Sequence, residues 1–274
     1  KILEGQILAC QCFSEPEAGT DLGNLKSTLI PTDGGFILNG QKIWTSFAKY
    51  SQLGFALARI TNSSDFTANP NTLDQRKIVF ILVDFVNPRG QIKVSPIQQL
   101  SGEAEFCEIF FDNVFIPSDS LVGDETNGWK IALETLIIER ILLTFARHTQ
   151  TIRVIKKLVR LLERKRDDVI SDAFLNYVSE FNLLRLTAYK HVLEYDRGKK
   201  ISAESSIDKL LWSENFKKFA KLYYNLALVA GDSQDIQEAR KVFLYSLGRT
   251  IAAGTSEIHS LTIAQRLLNL PKSY

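Results

Sequence analysis

Two different spacings of apolar residues divide the chain. From Ile7 to about Phe115, β-branched and aromatic residues come in short runs separated by turn residues, at the intervals of a barrel or sandwich. The stretch TDGGFILNGQKIWTS (Thr32–Ser46) shows the pattern. Asp33-Gly34-Gly35 is a hairpin signal, FIL a strand, Asn39-Gly40 a second turn signal and KIWTS the returning strand. LGFALARI, KIVFILVDF, IKVSPI and EFCEIFFDNVFI predict further strands, and the polar stretch Thr61–Arg76 predicts a long exposed loop. After Pro117 the spacing becomes helical. It persists through NGWKIALETLIIERILLTFARHTQTIRVIKKLVRLLERKR, Ala173–Tyr195, Ala203–Val229 and Ile236–Leu247, with Gly198 and Gly231 at helix connections. The expected fold class is therefore α+β. A β-barrel over residues 1–120 precedes a C-terminal four-helix bundle over 121–274, with the boundary near PSDSLVGDETNG.

Composition narrows the partners more than the chemistry. The 33 basic and 31 acidic residues nearly cancel, so no concentrated basic face marks a nucleic-acid or membrane partner. The densest basic run, RKRDD from Arg164 to Asp168, is balanced within itself and is expected at a solvated helix end. Cys10, Cys12 and Cys107 give no even disulfide framework and no metal-type spacing. They fit small apolar strand residues in a reducing, cytoplasmic setting. No apolar run is long enough to span a bilayer. The chain opens at Lys1 and has no Met among 274 residues, which is expected of a fragment or processed product, or of a sequence that has lost modified methionines.

No dinucleotide fingerprint, H-E-x-x-H, G-x-S-x-G or Walker motif is present, and no metal site is expected. The scattered His148, His191 and His259 fit surface or capping residues better than catalysts. Five ordered segments are more specific. They are CFSEPEAGTDL (Cys12–Leu22), NGQKIWTS (Asn39–Ser46), LSGEAEFCEIFFDNVFIP (Leu100–Pro117), LVGDETNGWKIA (Leu121–Ala132) and AAGTSEIHSLTIAQRLLNLP (Ala252–Pro271). In order and spacing they resemble the signature segments of acyl-CoA dehydrogenases from Gly5 to Pro271, without that family's additional N-terminal helical domain.

The resemblance implies FAD held between a β-barrel and a helical bundle. By position, Gln11, Cys12, Phe13 and Ser14 would line the flavin, with Thr20 near cofactor and thioester. Trp44, Thr45 and Ser46 would cover the ring, and Thr255 and Glu257 would contact it from the C-terminal turn. A large flat ring needs an aromatic wall and a few polar donors, which these residue types supply. Many members carry a catalytic Glu just before the Gly-Thr of that turn; here the position is Ala253. Members without it there place the base in a Glu-Arg pair on the first long helix, like IIERIL, which makes Glu139 the implied base. Arg140, Ala253 and Gly254 become substrate-side residues together with Thr20.

Helical spacing gives Glu139 a face shared with Ala132, Leu136, Leu143 and Ala146, and a carboxylate on an apolar stripe suits a base working near neutral pH. Pairing with Arg140 or exposure to solvent is the alternative. The implied reaction is α,β-desaturation of an acyl-CoA thioester in fatty-acid β-oxidation, with electrons passed to an electron-transfer flavoprotein or similar acceptor, by a homodimer or homotetramer. A non-catalytic flavin-binding subunit and a same-fold flavin oxidase or monooxygenase are the competing readings.

Overall fold

The computed structural model describes residues 1–61, 77–165 and 168–271, so the expected loop at 62–76 and the middle of the RKRDD run lie outside the described residues. The chain divides into two compact units. Unit 1 comprises Lys1–Gln99 with Glu103–Glu134, and unit 2 comprises Leu100–Gly102 with Thr135–Tyr274.

Unit 1 is built on strands β1 (Ala9–Cys12), β2 (Thr28–Thr32), β3 (Gly35–Ser46), β4 (Leu53–Ile60), β5 (Ile78–Asp84), β6 (Arg89–Ile97), β7 (Phe106–Pro117) and β8 (Leu121–Val122). Neighbours follow the order β6-β7-β3-β2-β4-β5-β8, and β1 runs parallel to β4 on the edge that β2 also reaches. The expected α+β class, a strand domain followed by helices, is what the structure has, and among the described residues the sheet is not closed into a full ring. The two terminal strands are poor closers. β8 offers two pairing residues, and β6 carries Pro96, which has no N–H for a further ladder. Alternation places Cys107, Ile109 and Phe111 of β7 in the core with Cys10, Cys12, Leu29, Leu38, Ala56, Val79 and Ile81. The three cysteines are free and buried there, as small apolar strand residues.

Asn39-Gly40 is not a turn. β3 runs unbroken through it and shifts register against β7 between Leu38 and Gly40. Asn39 uses its side-chain oxygen to accept from the Asn113 N–H across the strands (2.8 Å) instead of closing a hairpin. A Cβ on Gly40 would lie 2.3 Å from Ser27 Oγ, so the glycine serves a bulge with close chain approach. The Asp33-Gly34 hairpin between β2 and β3 does form.

Helix α1 (Gly128–Lys165) begins in unit 1, where Gly128 lies against the β5 backbone. A Cβ there would meet Val79 Cα at 2.4 Å and Phe80 N at 2.5 Å, neither of which can swing aside. Gly128→Ala is therefore expected to destabilise the protein by about 1–3 kcal/mol. Gly248→Ala, in open space within a helix, should cost nothing or stabilise by up to about 1 kcal/mol. Paired urea titrations check both.

Unit 2 holds the remainder of α1 with α2 (Asp168–Asp196), α3 (Glu204–Ala230), α4 (Ser233–Arg249) and α5 (Ser256–Arg266). Along α1 the buried residues Ile141, Thr144, His148, Thr151, Val154, Leu158 and Leu161 recur every three or four positions. Val154, Leu158 and Leu161 join Trp212, Phe216, Phe219, Tyr223 and Leu226 of α3 in the helical core. Trp212 Nε1 donates to Thr151 Oγ1 (3.1 Å), so the buried indole is satisfied. Asp232 opens α4 with a capping box, and Gly231 ends α3 as its C-cap. None of the described helices is long and apolar enough to cross a membrane.

Candidate functional site

In unit 1 two of the segments implied by the resemblance lie side by side. The Ile43 N–H donates to the Ser14 carbonyl (2.9 Å) and Lys42 Nζ to the Phe13 carbonyl (3.2 Å), which ties the Cys12–Ser14 segment to β3. Lys42 is fully buried and also bonds Glu15 Oε1 (2.7 Å). Glu15 in turn accepts from the N–H groups of Lys26 (2.5 Å) and Ser27 (2.9 Å). Burial raises the Glu15 pKa, but the Lys42 charge and these hydrogen bonds outweigh it and hold the carboxyl below its ordinary value. For Lys42 burial wins, and its pKa is lowered despite Glu15.

Immediately beyond Lys42 the strand is distorted. Trp44 (φ 62°) and Phe47 (φ 58°) adopt left-handed backbone, and the register with β7 shifts between Lys42 and Thr45. Non-glycine residues held there carry a conformational cost that surrounding structure must sustain. The indole of Trp44 is 54 % exposed and edge-on to Phe106, whereas Thr45 is buried. The Thr45 hydroxyl lies beside the Cys12 thiol and counters part of the rise in that thiol's pKa. Gln11 and Ser14 are half-buried, Cys12 and Phe13 buried, and Ser46 exposed. Thr20 is exposed, two residues beyond a tight turn closed by mutual Glu15 and Ala18 backbone bonds.

Unit 2 gathers the other set. The turn before α5 carries consecutive left-handed residues, Ala253 (φ 58°) and Gly254 (φ 97°). Its carbonyls are engaged: His259 Nε2 donates to Ala253 O (3.0 Å), and Lys209 Nζ donates to Gly254 O (2.5 Å) and Thr250 O (3.4 Å). The N–H groups of Ala253 and Gly254 have no acceptor among the described residues. Thr255 caps α5 by accepting from the Ile258 N–H (3.3 Å), and Glu257 is exposed in its first turn, where a carboxylate complements the helix dipole.

Glu139 is half-buried on α1, next to the half-buried Arg140. The guanidinium groups of Arg140 and Arg147 both interact electrostatically with it. Its surroundings are therefore more polar than the spacing suggests: Leu143 and Ala146, expected as its apolar neighbours, are exposed. The long helix brings Arg147 onto Arg140's face because seven residues are two turns.

The histidine expectation needs correction. His148, His191 and His259 are all buried, not on the surface. His191 bonds Asp208 (Nδ1 to Oδ2, 2.8 Å) and its pKa is raised by that contact. His148 packs edge-on to Phe181, and burial lowers its pKa to about 4. His259 is lowered to about 4 by burial and by the positive charge of Arg140 and Lys209. Sequence spacing also gave no notice of Lys209, which lies 70 positions from Glu139 and is 1 % exposed. Among the described residues no cluster could hold a metal ion.

Residues 10–114 match the family model described as acyl-CoA dehydrogenase, middle domain, and residues 126–268 match that described as acyl-CoA dehydrogenase, C-terminal domain. Acyl-CoA dehydrogenase FadE34 of Mycobacterium tuberculosis is 32% identical over 98% of this chain, which spans 36% of that protein's length. Acyl-CoA dehydrogenase IpdE1 of Mycolicibacterium smegmatis is 30% identical over 99% of this chain, covering 70% of that protein. Among solved structures, PigA with FAD and proline superposes with a TM-score of 0.84 at 22% identity, over 97% of this chain and 69% of that one.

Proposed function

The chain belongs to the acyl-CoA dehydrogenase family, and from that premise we propose that it binds FAD and desaturates an acyl-CoA thioester between its α and β carbons. The observation that carries this reading is the pairing of Glu139 and Arg140 on α1 with a 252–255 turn that has no acid and two available N–H groups. Proton abstraction and carbonyl polarisation are the two tasks that α-carbon acidity demands.

The residues present fit a flavin. An exposed Trp44 on a left-handed kink offers a wall for a flat ring, and the buried Thr45 hydroxyl beside Cys12 offers a polar contact. Within unit 1, Gln11, Cys12, Phe13, Ser14, Thr20, Trp44, Thr45 and Ser46 would hold it. FAD, when bound, supplies the acceptor for the β-hydrogen and its electron pair.

The protein's own groups do the rest. Glu139 takes the α-proton. The Ala253 N–H donates to the thioester carbonyl as negative charge develops on its oxygen, helped by a turn whose carbonyls Lys209 and His259 already hold. Within unit 2, Arg140 and Gly254 would face the substrate. Electrons would leave to an electron-transfer flavoprotein or similar acceptor, and a cytoplasmic homodimer or homotetramer acting in fatty-acid β-oxidation completes the proposal.

The test is direct. The purified protein should be yellow, and anaerobic addition of acyl-CoA thioesters should bleach its flavin absorbance. Retained flavin that no thioester bleaches would point instead to a supporting, non-catalytic subunit. A flavin bleached by aromatic or nitro compounds would point to a same-fold oxidase or monooxygenase.

A further inference from the structure

Positive charge within unit 2 exceeds what the proposed reaction uses. Arg140 and Arg147 share one face of α1, Lys209 reaches the 250–254 turn from α3, and Arg249 lies over the Tyr245 ring (4.3 Å). Arg147 is over the Trp212 ring (5.1 Å), three residues along α3 from Lys209. These cations feel one another: burial and the neighbouring arginines Arg147 and Arg140 lower Lys209 to about 8. Arg266 adds positive charge beside Arg140. Three acids face the group, among them the exposed Glu257, which feels the Lys209 charge. Glu139 is the proposed base, and Glu214 is engaged by Lys217 (2.5 Å) and the Ser256 hydroxyl (2.7 Å).

The second observation is geometric. Arg140 Nε and Arg147 Nη1 are buried N–H donors with no hydrogen-bond partner. A buried guanidinium donor left unmet costs the full desolvation of that group, and folded proteins rarely leave one so. Two unmet donors on neighbouring arginines, next to a buried ammonium, describe a receptor for an oxyanion. The source of the oxyanion follows from position. The group surrounds Glu139 and the Gly254 turn, where the acyl carbon reacts. The pantetheine arm keeps the CoA phosphates far from the thioester, and the ribityl chain does the same for the flavin's pyrophosphate.

We propose that Arg140, Arg147 and Lys209 form a carboxylate subsite, so that the substrate is an acyl-CoA whose acyl group carries a second, free carboxylate. This rests on the dehydrogenase reading for the thioester, while the carboxylate preference can be measured without turnover. Binding of adipyl-CoA and hexanoyl-CoA to the flavin-loaded Glu139→Gln protein is compared by calorimetry. Bleaching by the same two thioesters is followed with Glu139 in place.

Adipyl-CoA is expected to bind more tightly by at least about thirtyfold, the usual consequence of a buried charge pair. Arg147→Gln should erase that preference and leave hexanoyl-CoA binding unchanged. Arg147→Lys, which keeps the charge but loses the planar fork, should fold even where Gln does not and retain part of the preference. Equal binding of the two thioesters, or an adipyl preference that both Arg147 variants leave intact, overturns the subsite. A preference in binding with no bleaching by either thioester supports the subsite and sinks the dehydrogenase reading instead.

Discussion

Glu139→Gln is expected to leave the protein yellow, folded and able to bind thioester, while slowing anaerobic bleaching by about 10²–10⁴-fold, the range over which a positioned general base contributes. The amide keeps the carboxylate's shape but cannot take the α-proton. In this chain no second acid stands at the turn to replace it, because position 253 is alanine. Stopped-flow single turnovers separate the two possible roles of the residue. Loss of rate at saturating thioester, with the dissociation constant unchanged, identifies a base. An unchanged limiting rate with weaker binding would make Glu139 a charge partner of Arg140 and Arg147 and remove it from the chemistry.

The spacing of apolar residues was enough to find most strands and the four longer helices, since each buries one regular face, whereas α5 (Ser256–Arg266) was not anticipated as a helix. α1 is the clearest case: its buried positions repeat from Ile141 to Leu161 as a helical stripe should. Glu139 could be singled out from the sequence because it lies on that helix and because the Glu-Arg pair resembles a known motif. What surrounds it was not. Arg147 is reached by two turns of helix, Lys209 only by the packing of α3, and no local pattern encodes either approach. Asn39-Gly40 failed for the opposite reason. A local turn signal was overridden when Asn39 found a partner on β7 and Gly40 was needed for the approach of Ser27. The left-handed backbone at Trp44 also has no sequence signature, because bulky residues avoid that region unless a fold imposes it.

Breaking the Lys42–Glu15 pair is expected to have the largest effect on stability. Lys42 is fully buried and Glu15 nearly so, which means neither partner can return to water when the other is removed. Lys42→Met leaves Glu15 with two backbone N–H donors but no cation, and a cost of about 3–5 kcal/mol is expected. Glu15→Gln keeps an acceptor oxygen for Lys42 but removes its counter-charge, leaving the buried ammonium with only neutral acceptors such as the Phe13 carbonyl. The pair's net worth is smaller than either loss. Burial depresses the Lys42 pKa by more than Glu15 restores it, while the Glu15 carboxyl gains overall. The double variant Glu15→Gln with Lys42→Met should therefore lose less than the sum of the two singles in a urea cycle.

The pH dependence has a fixed sign. The Glu15 pKa is lower in the folded protein than its ordinary 4.5, so its contribution is fully present above that value and is lost as pH falls through the folded pKa. Acid destabilisation below about pH 4.5 should diminish in Glu15→Gln. Because Lys42 holds the Phe13 carbonyl beside the proposed flavin wall, Lys42→Met should also release flavin at a lower temperature than the parent protein. Flavin fluorescence during a thermal ramp reads that directly. An unchanged release temperature in a folded Lys42→Met protein would show that the pair supports the sheet alone and does not position Cys12–Ser14.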